Sequence, residues 1–127
     1  MKLDINCVRS VLLELESLPS GRFTYYHFPE SVKSYGDDNV YYCLAKLVEA
    51  NYVNGNFYRS EAGTILQCEV FDMTFAGHQF LETIRPKSVW QKVLPVVENV
   101  GSFSIQTITE VATSVISQAI AVQLGLQ

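Results

Sequence analysis

Two histidines and three cysteines are the residues best equipped for chemistry in this 127-residue chain. His78 stands four residues before Glu82, so on a helix the two would share a face, as a general base and its orienting carboxylate do. The same spacing is also that of an ordinary surface contact. No serine or cysteine lies at nucleophile–base spacing to either histidine. His27 sits in an aromatic run with no second ligand or base at motif distance, which suits a half-buried packing role. Cys7, Cys43 and Cys68 are odd in number and contain no CxxC pair. That excludes a disulfide framework or zinc site as the expectation and points to reduced, structural thiols. No glycine-rich phosphate loop occurs. The reading is of a non-enzymatic protein with no catalytic residue, no cofactor and no metal.

Composition sets the remaining bounds. Hydrophobic residues make up 48% and charged residues 17%, enough for one core with an apolar surplus that hints at an interface. The net charge is −4, so no global basic field draws the chain to nucleic acid or anionic lipid. The N-terminal apolar run at Val11-Leu12-Leu13 is flanked by acids and is not expected to be a signal peptide. No window of about eighteen uninterrupted apolar residues is present, so no membrane span is expected. A cytoplasmic location follows as the expectation.

The elements that would position any site can be read from period and punctuation. Asp4 is placed to cap a first helix to about Ser17, with Ile5, Val8, Val11, Leu12, Leu15 and Leu18 on one face. Phe23–Phe28 reads as a short strand ended by Pro29. Residues 31–36 offer at most one helical turn. Asp37 or Asp38 would cap a second helix to about Ala50, burying Val40, Leu44, Leu47 and Val48, with Asn51 in the left-handed position beyond it. Residues 52–59 and 64–71 read as a hairpin closed by Ser60–Gly63, with Leu66, Cys68 and Val70 facing inward. Thr74 would cap a third helix that packs Phe75, Leu81 and Ile84 inward. A fourth helix, capped by Ser88, carries Val89, Trp90, Val93, Val96 and Val97, and Pro95 should kink or interrupt it.

The last helix, Ser104 to about Leu124, has an apolar face and Glu110 as its single charge. It either folds back on its own domain or forms a dimer seam, because Ile105, Ile108, Ala112, Val115, Ala119 and Val122 keep heptad-like spacing. The expected fold class is α+β: a winged helix (helix, short strand, helix, two-stranded wing) over residues 1–86, with a C-terminal helical extension over residues 87–127.

Met73-Thr74-Phe75-Ala76-Gly77-His78 resembles the leucine-threonine, two residues, glycine, basic residue signature that follows the wing in many bacterial winged-helix regulators. Met1–Asp4 with Val8-Arg9 and Leu12-Leu13, the run Tyr41–Ala50, and Thr74–Leu81 through Ile84-Arg85 and Val89-Trp90 together resemble a prophage-associated bacterial family. That family is domain of unknown function 2513, similar to the YjcQ-like proteins. The resemblance implies a winged-helix-like fold, a cytoplasmic location and carriage on phage or mobile elements, and it brings no known catalytic residues. Asn51 replaces a common glycine, and Pro95 falls in a helix usually free of proline.

A winged helix suggests DNA, but the residues expected on the outer side of the Asp37–Ala50 helix are Asp38, Asn39, Tyr42, Ala45, Lys46 and Glu49. Two acids against one base is a poor match for phosphate. Asn39 and Tyr42 could reach base edges, and Lys46 and Arg59 phosphates. Tyr42 and Tyr58, among few charges, suit a protein partner better. The expected partners are therefore a host or phage protein and a second copy of the chain, with double-stranded DNA as the alternative and no membrane.

Overall fold

Asp4 opens the first helix as its N-cap: its Oδ1 accepts the backbone N–H groups of Asn6 and Cys7 at 3.0 and 3.2 Å. These are two of the donors that a helix start leaves unsatisfied. The computed structural model describes residues 2–19, 21, 28–101 and 104–125. They form α1 (Ile5–Ser17), α2 (Glu30–Lys33), α3 (Asp37–Glu49), β1 (Val53–Arg59), β2 (Ile65–Met73), α4 (Phe75–Ile84), α5 (Lys87–Val100) and α6 (Ile105–Gln123). Two compact units result, Met1–His78 and Gln79–Gln127. The expected strand Phe23–Phe28, with His27 in it, lies outside the described residues up to His27.

In the first unit α1 and α3 pack on each other and on the antiparallel β1–β2 ribbon. Val8, Val11, Leu12, Val40, Leu44, Cys68 and Val70 are fully buried there. Each large side chain so buried contributes about 1.5–3 kcal/mol. Gly21, where the chain returns from α1, donates its N–H to the carbonyl of Phe71 on β2 at 3.1 Å. The α+β class expected from the sequence, with a two-stranded antiparallel wing after the second long helix and helices at the C-terminal end, is the one observed.

Local details depart from expectation for identifiable reasons. Gly36, at φ +92°, is the N-cap of α3, so Asp37 and Asp38 occupy its first turn. There their carboxylates sit at the positive end of the helix dipole, which favours them. Ala45 is fully buried, not on the outer face. Leu66 is 62% exposed, because it is the extra residue where pairing jumps from Tyr58↔Gln67 to Arg59↔Ile65. A bulge at that point ends the inward alternation kept by Cys68 and Val70. Phe75, the first residue of α4, is 78% exposed, and Phe80 is buried along with Leu81 and Ile84.

In the second unit α5 and α6 pack together. Helix α5 starts behind Pro86, two residues earlier than a Ser88 cap would place it, and runs unbroken through Pro95 to the left-handed Gly101. Pro95 is exposed, and so is Gln91, whose carbonyl loses its partner, so water can take the missing bond. Val96 is on the outer side at 44% exposure, while Trp90, Val93 and Val97 are buried. Ser104 caps α6, its Oγ accepting the Thr107 N–H at 3.1 Å. By length and composition α6, with a mean hydropathy of 1.2, is the one helix among the described residues that could cross a membrane.

All three cysteines are buried and free. Hydrogen bonding to the Cys7 thiol and then burial raise the Cys43 pKa, and burial followed by Glu69 pushes Cys68 up to about 12. Both folded values lie above the ordinary thiol value of about 8.5, so the folded state holds these protons more tightly than the unfolded chain. The stability this confers is complete below about pH 8.5 and is lost as pH rises toward the folded values. Urea unfolding at pH 10 should show a loss of about 2 kcal/mol from Cys68 relative to pH 7.5. Cys68→Ala should shrink that loss, whereas an unchanged midpoint across the range would contradict the burial.

Candidate functional site

The outward face of α3 and the wing loop enclose a groove of about 310 Å³, lined by Asp38, Tyr41, Tyr42, Arg59, Thr64 and Ile65 among others. Its two walls are held by different devices. Helix α3 ends in a Schellman arrangement, with Asn51 N–H on the Val48 carbonyl at 3.1 Å and Tyr52 N–H on the Leu47 carbonyl at 3.0 Å. Asn51 takes the left-handed conformation this requires, φ 60°, as its position in the sequence predicts. The wing loop closes through Ser60 N–H to Thr64 O and Gly63 N–H to Ser60 O, at 2.8 and 2.9 Å.

A joint at the opposite end of α3 and of the ribbon from the wing loop ties these two elements together. Thr74 donates its N–H to Tyr52 O at 3.0 Å and its hydroxyl to Asn51 O at 2.6 Å. The same Oγ1 accepts the Gly77 N–H at 3.1 Å. One threonine thus caps α4 and ties the end of β2 to the end of α3.

Of the expected contact residues, Tyr42 and Arg59 line the groove. Lys46 sits beside Tyr42, its Nζ 5.2 Å from the ring centre and 3.0 Å from Glu49 Oε2. Arg59 Nη1 donates to Gly63 O at 2.9 Å, and its guanidinium lies 5.4 Å from the Phe57 ring centre. Asn39 Nδ2 bonds the Tyr35 carbonyl at 2.9 Å, which turns part of the candidate base-reading amide to structural use. Tyr58 is 51% exposed on the wing. Tyr35, another aromatic on this side of the sequence, shares a hydrogen bond of 3.2 Å with Ser10.

Sequence reasoning missed Thr64 and Ile65 as lining residues. The bulge at Leu66 places them, and no local motif announces it. The Lys46–Glu49 pair was legible in principle, since i, i+3 is a contact spacing on a helix.

The chemistry candidates stay apart. Glu82 pairs with Arg85 rather than with His78. Among the described residues no cluster of three or more His, Cys, Asp or Glu side chains is assembled that could hold a metal. Of the seam residues, Ile108 and Ala112 are fully buried within the chain, Ile105 and Val115 are half-buried, and Ala119 and Val122 are exposed.

Helix, turn, helix and two-stranded wing, with a groove between the second long helix and the wing, define an α+β protein of winged-helix architecture. Residues 2–104 match the family described as hypothetical protein DUF2513, and the chain belongs to that family. No curated protein and no solved structure matches the chain.

Proposed function

We propose that the protein is a non-enzymatic binding module that uses the α3–wing groove to hold another protein. One observation supports this reading over DNA. Arg59, which lines the groove, and Lys46, beside Tyr42, are engaged by the Gly63 carbonyl and by Glu49, while Asp37 and Asp38 open the same helix. A helix entering the major groove would bring those carboxylates toward phosphates with little free positive charge to offset them. Tyrosines beside a modest number of charges are instead what anchors protein contacts. The family resemblance extends the proposal to a phage-linked protein acting in the cytoplasm, with a host or phage protein as its partner.

Fluorescence anisotropy with labelled duplex DNA at about 150 mM salt should show no association. Binding that falls steeply with salt and vanishes in Lys46→Glu/Arg59→Glu would overturn the proposal in favour of a transcription regulator. A host protein bound by the wild type, insensitive to salt and lost in Tyr42→Ala, is the expected positive result.

A further inference from the structure

The end of α6 borders a second concavity, of about 550 Å³, lined by Val89, Ile116, Ala119, Ile120 and Leu124 together with the corner at Pro86. Ile120, Val122 and Leu124 are 53, 61 and 67% exposed. We propose that this groove seats the same helix end from a second copy of the chain, across a twofold axis.

Three observations select that occupant. The heptad-like row along α6 is covered by the chain's own packing at Ile108 and Ala112 but left open at Val122 and at Ala119, the latter lining the groove. A row of that period is a helix seam, so a helix is the shape it accepts. No charged residue occurs after Glu110, and the one carboxylate bordering the groove, Glu82, is paired with Arg85. A charged partner surface would lose its hydration there without compensation, whereas the uncharged end of a second α6 loses none. An isologous contact needs one patch to supply both wall and filler, and this stretch of helix offers both.

A lipid bilayer is the competing occupant, given the length and hydropathy of α6. The helix carries no lysine, arginine, tryptophan or tyrosine to anchor its ends, and Ile108 and Ala112 on it are already buried within the chain. The inference is independent of the α3–wing reading.

Light scattering on the full chain should give twice the 14.3 kDa monomer mass, falling toward the monomer on dilution. Ile120→Asp should raise the dissociation constant about a hundredfold or more, and Ala119→Arg should do the same, with circular dichroism confirming the fold of each. Val100→Asp, on exposed α5 surface outside the groove, and Tyr42→Ala should leave the dimer intact. A wild-type chain that is monomeric at every concentration would overturn the proposal. So would dimers that survive both α6 variants, or flotation with phosphatidylcholine–phosphatidylglycerol vesicles.

Discussion

Gly77→Ala is expected to destabilise the protein by about 3 kcal/mol, although helix propensity alone predicts a gain of about 1 kcal/mol. A β-carbon at this position would lie 2.1 Å from the carbonyl oxygen of Tyr52 and 2.7 Å from Cγ of Met73. The methionine can move aside, but the carbonyl cannot do so freely. Tyr52 O already accepts the Thr74 N–H, and Thr74 in turn holds Asn51 O and the Gly77 N–H. Relieving the clash therefore opens the joint that ties α3, β2 and α4. Thermal unfolding should shift down by ~10 °C, while His78→Ala, exposed on the next residue, stays within about 0.5 kcal/mol of wild type. A Gly77→Ala protein as stable as the parent would show that the close approach is not a constraint.

That joint explains how much of the architecture could be read from residue types. Threonine followed three residues later by glycine is a local signal: the threonine needs an N–H to accept, and the glycine must pass close to another backbone. Asn51 is a similar case, since a left-handed residue after an apolar helix stripe admits few side chains. Asp4, Thr74 and Ser104 all cap where the hydrophobic period begins, because capping depends on atoms within four residues. Local rules failed at two other caps, where Gly36 and Pro86 stand in place of Asp37 or Asp38 and Ser88, and where the outcome depended on distant pairing. Leu66 reads as inward by alternation and is turned out by a bulge that only the β1–β2 register defines. Phe75 reads as core by its hydrophobicity, yet the first turn of α4 points it to solvent.

The groove was half legible for the same reason. Tyr42 could be placed on the outer face of α3 by helical period, and Arg59 on the wing by hairpin length. Their neighbours Thr64 and Ile65 could not be placed, since they arrive from the other strand. Nor could sequence show that Arg59 spends a hydrogen bond on its own loop, a contact that weakens the case for phosphate binding more than net charge does. On α6 the periodic row was visible in full, but which part the chain itself covers depends on how far α5 extends alongside it. The structure divides the row into an inner segment at Ile108 and Ala112 and an outer one at Ala119 and Val122.

Gly55→Ala should cost about 2–3 kcal/mol and act first on the wing. Its β-carbon would fall 2.3 Å from the Glu69 carbonyl oxygen and 3.1 Å from Cα of Val70, both backbone atoms of the paired strand. Gly55 lies opposite Val70, next to the register jump where Phe71 is the extra residue, so the strands approach closely beside a bulge. Pushing them apart there frees the ribbon that carries Arg59 and Ile65, and the groove loses one wall while the α1–α3 packing persists. Amide hydrogen exchange should accordingly speed up across Val53–Arg59 and Ile65–Met73 more than in α1. Gly63→Ala makes the discriminating comparison: it has φ +90° but nothing within 4 Å of its added carbon. Backbone strain alone predicts a penalty of about 1–2 kcal/mol there, confined to the loop tip. Equal exchange profiles for the two variants would mean that the wing yields at its loop and not at the tight strand crossing, and the groove's shape would then owe nothing to Gly55.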